Sequence, residues 1–344
     1  MTTPTLSVSV SASAPANLLL MGEYAVLEEG GLGLAIAPDI RVTGTGRTVA
    51  GRASEASRGM SVEGHLPGAT VKWPGANRWH QDTLWRQDTG LLGLAADRLS
   101  DRYPAGETEA RIDLESKALF TADGRKRGLG SSAAIVVALT ALWLRLTDHL
   151  PNNPADAREL VFSAALDAHR AGQGGEGSGY DVACSTFGGV IVFTGGRRPS
   201  ARRVVLPWLP EVRLIQGSAP VRTVRAVAAY RAWKAASPEG SLAYIDQSNQ
   251  LVTAFSEASD WEGAVSILRE YRDLAANLGA TIGVQSVLDP PAWVRGNDAV
   301  VKAVGAGNEL GVVLATAMPH DTGSGEGSFP ETPITVSDEG VTWT

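Results

Sequence analysis

Residues 128–142 read GLGSSAAIVVALTAL, two glycines and two serines running into a stretch dominated by small and branched apolar residues. That stretch reads as a long helix from about Ser132 to Leu146. Its start is the more constrained part. Gly128 and Gly130 open backbone conformations and close approaches denied to other residues, and Ser131 and Ser132 suit a helix cap and first turn. The unpaired amides of that turn, at the positive end of the helix dipole, form an anion site. The Walker-type spacing G-x-x-x-x-G-K-[ST] is absent, so a phosphate would be held by amides, a metal and lysines from elsewhere. Taken alone, the loop fits either that role or a helix start packed closely on a strand.

Around this segment, strand and helix signals are interleaved without steady β-α alternation, which predicts an α+β fold. TLSVSVSASA alternates with period two and predicts a strand, as does EARIDLES. Residues 41–80 predict short strands. DTLWRQDTGLLGLAADRL has leucines at helical spacing, and PNNPADARELVFSAALDAHRAG predicts a helix capped near Asn153. The glycine-rich stretch GQGGEGSGYDVACSTFGGVIVFTGG ends in a strand, GVIVF. RRPSARR reads as a solvated turn at a crossing near residue 200, giving domains 1–200 and 201–344. Helices are expected around 221–235, 241–256 and 261–277. DTGSGEGSFPETP reads as a linker and ITVSDEGVTWT as a terminal hairpin.

With 44% hydrophobic and 19% charged residues over 344 positions, the composition is that of a globular protein. A net charge of −7 argues against nucleic acid or an anionic membrane as the partner. The single cysteine, Cys184, excludes an internal disulfide and reads as a small buried side chain. No apolar run reaches the roughly 18–20 residues of a membrane span, and the first residues lack the basic start of a secretory signal. A cytoplasmic protein is expected.

Three segments together resemble the GHMP kinases, the family of galacto-, homoserine, mevalonate and phosphomevalonate kinases. RKRGLGSSAA is similar to the family's central motif, APANLLLMGEYAVL to its early P-G/A-K-x-x-L-x-G-E motif, and VKAVGAGNELGVVL, in part, to its late glycine loop. The resemblance implies a ribosomal S5 domain 2-like N-terminal domain and a ferredoxin-like C-terminal domain. It also implies ATP and Mg²⁺ as cofactors, a small-molecule phosphate acceptor, and a monomer or homodimer. Gly128, Leu129, Gly130, Ser131, Ser132 and Ala133 would bind ATP, with Ser132 and Glu176 toward the metal. Asp181 would be the catalytic group, and an aspartate can orient an acceptor and take its proton. Asn17, Glu23, Tyr24, Ser178, Gly179, Gly305, Ala306 and Gly307 would contact the acceptor.

Within the family, GEYAVL and AHRAGQGGEGSGYDVA look most like phosphomevalonate kinases, which implies phosphorylation of 5-phosphomevalonate to the diphosphate. Mevalonate kinases usually carry a glutamate near the position of Arg170. A kinase for mevalonate or another alcohol or sugar, and a nucleotide-binding regulator without turnover, are the alternatives. Two departures stand out. Asn17 occupies the place of a family lysine, supplying a hydrogen bond but no charge; Lys302, Arg222 and Arg225 are candidate replacements, although each reads as a surface charge. Asn308 and Glu309 interrupt the late glycine run. Asn17→Lys is expected to be tolerated. His169 reads as a packing or polar-contact residue, and Trp73, Trp79 and Trp85 as core or adenine-pocket residues.

Overall fold

The computed structural model describes residues 8–48, 60–67, 69–73, 87–105, 109–175, 177–217, 223–291, 294, 299–305, 307, 310–316 and 332–344. The first part of the chain forms β1 (Ser9–Pro15), β2 (Leu18–Met21), β3 (Leu32–Ile36), β4 (Arg41–Thr48), β5 (Met60–Leu66) and β6 (Ala69–Trp73). Then come α1 (Gln87–Arg102), β7 (Ala110–Glu115), α2 (Ser131–Leu146), α3 (Pro154–Gly172), α4 (Tyr180–Phe187), β8 (Val190–Thr194), β9 (Ser200–Val204) and β10 (Glu211–Gln216). The last part holds α5 (Thr223–Ala236), α6 (Pro238–Glu257), α7 (Trp261–Ile282), β11 (Ala299–Val304), β12 (Leu310–Ala315), β13 (Thr332–Ile334) and β14 (Thr342–Trp343). Mixed sheets and helices without regular alternation make this an α+β fold.

The chain divides into two compact units that interleave in sequence. Unit 1 is Met1–Asn17, Ala37–Gly188 and Ser337–Thr344; unit 2 is Leu18–Ile36 and Gly189–Val336. The single boundary expected at residue 200 is not where the contacts divide, because the chain enters unit 2 at Leu18 and leaves it twice.

Unit 1 is built on a six-stranded sheet of order β14-β1-β4-β7-β5-β6, in which only β5 and β7 run parallel. Helix α2 lies on β1, β4 and β7 and is flanked by α1, α3 and α4. From Ala133 to Leu144 every residue of α2 is buried, as its all-round apolar sequence requires. It approaches the sheet closely because β4 presents Gly44 and Gly46 beneath it. A Cβ at these positions would lie 2.8 Å from Leu142 and 2.6 Å from Leu146. The start of α3 is capped as expected, with Asn153 Oδ1 accepting from the amides of Ala155 and Asp156 at 2.9 and 3.4 Å.

Unit 2 holds two four-stranded antiparallel sheets, β2-β3-β8-β9 and β11-β12-β10-β13, with α6 and α7 packed on each other and α7 against β11. Two expectations are corrected. RRPSARR is a turn only at its start: Arg197 and Arg198 are exposed in the bend after β8, and Ser200–Val204 is a strand paired with β8. ITVSDEGVTWT is not a hairpin, since β13 pairs with β10 in unit 2 and β14 with β1 in unit 1. The GVIVF strand forms as expected, and helix α4 precedes it from Tyr180 to Phe187. The linker through residue 331, Trp79 and Trp85, and the Trp73 side chain lie outside the described residues.

Candidate active site

Helix α2 starts without a side-chain cap. Gly130 stands at its N-cap in the left-handed region, with φ 65° and ψ 39°, and no acidic residue occupies the first turn. Ser131 and Ser132 are half-buried there, and Ala133 is buried. An uncapped helix start with donors and no competing carboxylate fits a phosphate group. Gly128, also at positive φ (76°), turns the backbone into this start, and Leu129 is buried behind it.

Asn17, at the end of β1, fixes the loop. Its side-chain amide donates to Gly130 O at 3.1 Å and to Ser185 Oγ on α4 at 3.0 Å, while its backbone amide donates to Leu129 O at 3.2 Å. It is 2% exposed. Gly130 has to be glycine on two counts, its positive φ and the 2.0 Å that would separate a Cβ from Asn17 Oδ1. Residue 17 therefore joins the glycine loop to helix α4 instead of presenting a polar group to solvent.

Asp181 sits in the first turn of α4, one helical turn before Ser185 on the same helix. Gly179, with φ 93°, starts that helix, and Asp181 Oδ1 accepts from the Val182 amide at 2.9 Å. The approach to the turn is held from α3: Arg170 donates from Nε to Gly177 O at 3.1 Å and from Nη2 to Ser178 O at 3.0 Å. Burial lowers the pKa of Arg170 while the charge of Asp181 opposes that shift. His169 Nε2 lies 3.9 Å from Asp181 Oδ2. Cys184 is buried, as expected. Glu176 lies outside the described residues.

Unit 2 brings together a second set. Glu23 is buried and pairs with Lys302, and its Oε2 accepts from Tyr271 Oη at 2.8 Å. Tyr244 Oη donates to Glu23 O at 2.6 Å, and Lys302 Nζ donates to Ala303 O at 2.7 Å and stands 5.2 Å from the Tyr271 ring centre. Burial lowers the Lys302 pKa against the opposing pull of Glu23, and raises those of Tyr244 and Tyr271. Glu23, Tyr24, Gly305 and Gly307 line one cavity of about 20 Å³ with Arg272 and Ser286. Lys302 is thus a buried ion-pair partner and not the surface charge its sequence suggested. Arg225 is exposed, and Arg222, Ala306, Asn308 and Glu309 lie outside the described residues.

Among the described residues, one other group could ligate a metal: Glu63, His65 and Asp113, with ligand atoms within 4.8 Å of one another. Arg111 already donates to both carboxylates, at 2.8 and 3.1 Å, so their charge is balanced within the sheet.

Residues 90–189, which run from α1 through α4 and contain both the glycine loop and Asp181, match the family model of the GHMP kinases N terminal domain. The chain thus carries a GHMP kinases N terminal domain. It is 29% identical over 192 residues to a phosphomevalonate kinase of Streptomyces sp. (strain CL190), covering 52% of this chain and 48% of the relative. It is 32% identical over 190 residues to a mevalonate kinase of Methanothermobacter thermautotrophicus, covering 55% and 51%. The matches thus span about half the length of these curated relatives. The fold resembles that of Streptococcus pneumoniae phosphomevalonate kinase in complex with phosphomevalonate and AMPPNP, with a TM-score of 0.62 at 18% identity over 91% of this chain and 93% of that one. No helix among the described residues is long and apolar enough to cross a membrane.

Proposed function

We propose that this chain is a GHMP kinase that transfers the γ-phosphoryl group of ATP to a small acceptor, and that the acceptor is 5-phosphomevalonate. The observation that carries the reading is the link through Asn17 between an uncapped helix start and the helix bearing Asp181. Phosphoryl transfer asks a protein mainly to position two partners and to offset charge. In this reading the α2 amides and the hydroxyls of Ser131 and Ser132 hold the phosphates. Ser132 would contact Mg²⁺, which offsets negative charge on the phosphates when bound.

Asp181 orients the acceptor and takes its proton where it carries one. An acceptor oxygen bonds to the γ-phosphorus, the bond to the bridging oxygen breaks, and ADP leaves. The preference for 5-phosphomevalonate rests on the resemblance of GEYAVL and AHRAGQGGEGSGYDVA and on the Streptomyces relative. Ser178 and Gly179, beside Asp181, are proposed acceptor contacts. Within unit 2, Tyr24 and Gly305 are proposed small-molecule contacts of the cavity whose wall Glu23 shapes. Measuring ADP release with 5-phosphomevalonate, mevalonate and several sugars tests the reading. Release with 5-phosphomevalonate is expected, and release with mevalonate alone would move the assignment to the other branch.

A further inference from the structure

Asp181 has no cation from residue 17, because the Asn17 amide is committed to Gly130 O and Ser185 Oγ. The groups that face the carboxylate come from α3. His169, in the last turn of that helix, is 2% exposed, and its Nε2 lies 3.9 Å from Asp181 Oδ2, whose side chain is 20% exposed. Gln173, one turn further on, brings its side-chain nitrogen Nε2 to 3.5 Å from the same imidazole nitrogen, a contact in which the imidazole accepts. Arg170, next to His169, fixes the Gly177 and Ser178 carbonyls just before the turn that carries Asp181, and its charge also acts on Asp181. A buried imidazole facing a part-exposed carboxylate is more than packing. In the tautomer with a proton on Nε2, which gives up the long Gln173 contact, the ring aims a donor at the carboxylate oxygen, and that contact can shorten when the acceptor binds.

We infer that His169 is a positioning residue for Asp181, so that α3 and not residue 17 supplies the side chain that faces the carboxylate. The inference rests on the reading of Asp181 as the group that orients the acceptor. It assigns a purpose to a histidine whose sequence context suggested packing alone, and it explains how Asn17 can replace a lysine without leaving Asp181 unsupported.

The test uses His169→Phe, His169→Gln and Asp181→Asn, singly and combined, in the full chain. Phenylalanine keeps the ring's bulk and removes the donor, whereas glutamine places an amide nitrogen near the Nε2 position. His169→Phe is expected to lower kcat by up to about 10²-fold, the scale of a small misplacement of a reacting group, with KM for ATP kept. His169→Gln should recover most of that loss. In the Asp181→Asn background His169→Phe should cost nothing further. An unchanged kcat in His169→Phe, equal losses in the two His169 variants, or the same loss in the Asp181→Asn background would overturn the inference.

An NMR readout does not depend on turnover. The His169 ring-proton resonance should shift in Asp181→Asn, and a resonance that stays in place means the two groups do not interact. Wild-type turnover in Asp181→Asn would instead remove the reading of Asp181 itself, a separate failure that leaves the NMR result to decide on the contact.

Discussion

Asn17 and Gly130 are shaped to each other: the asparagine amide donates to the glycine carbonyl at 3.1 Å, and a Cβ on Gly130 would meet the asparagine oxygen at 2.0 Å. The pair predicts a non-additive double variant. Gly130→Ala alone should be strongly destabilising, because strain at positive φ, about 1–3 kcal/mol, adds to the collision. Asn17→Ala alone removes the bonds to Gly130 O, which keeps the Ala134 amide at 3.2 Å, and to Ser185 Oγ, at about 0.5–1.5 kcal/mol each. Combined, the two should cost clearly less than their sum, since removing the carboxamide makes room for the methyl. Urea denaturation of the four proteins checks this, and strict additivity would mean the loop adapts by another route.

Asn17→Lys follows from the same geometry. The sequence led us to expect tolerance, but position 17 is buried with its amide hydrogen-bonded on two sides. A longer, charged side chain overfills the space, at about 1–3 kcal/mol before the cost of burying an ammonium. The expected outcome is a lower melting temperature and reduced turnover, not a gain. A variant as stable and active as the parent would show that the pocket opens.

Asp181→Asn should retain nucleotide affinity and lose rate in a way that depends on the acceptor. A hydroxyl acceptor needs its proton removed, and general-base losses run to about 10²–10⁴-fold. A phosphate acceptor is largely ionised above its second pKa of about 6, so the deficit with 5-phosphomevalonate should shrink as pH rises through that value. A deficit that stays constant across this range points to a role in orientation alone.

The Glu23–Lys302 pair and its tyrosines predict behaviour at alkaline pH. Burial, the largest cause in each case, raises the phenols of Tyr230, Tyr244 and Tyr271 above their ordinary value of 10.0, and pushes Tyr24 up to about 12. A folded state that holds these protons longer than the unfolded chain is stabilised below pH 10.0 and loses that stability as pH rises toward the folded values. Lys302, lowered by burial, acts in the opposite sense between its folded value and 10.5, but it is one group against four. Tyrosinate absorbance from these four phenols should therefore appear together with the loss of helical signal, and any of the four titrating in a protein still folded would contradict this. Lys302→Met should cost about 3–5 kcal/mol by leaving Glu23 buried and unpaired, and adding Glu23→Gln should return part of it.

Local features were legible in the sequence. The all-apolar α2, the Asn153 cap and the period-two strands β1 and β7 declare themselves within a few residues. What escaped depends on distant partners. Helix α4 is only eight residues long between glycines, too short to show a period beside such strong turn signals. The last strands pair with β10 and β1, and no local pattern distinguishes that from a hairpin. Lys302 looked like surface charge because its carboxylate lies 279 positions away in the chain. Asn17 reads as a missing lysine, because its partners Gly130 and Ser185 lie 113 and 168 positions away in the chain.

Phosphorus NMR of the protein with ATP, Mg²⁺ and 5-phosphomevalonate tests the proposed transfer most directly. The expected result is the decay of the acceptor's phosphomonoester singlet as a pair of coupled diphosphate signals grows in step with ADP. An unchanged phosphomonoester signal, under conditions where mevalonate or a sugar yields a new phosphomonoester, would contradict it.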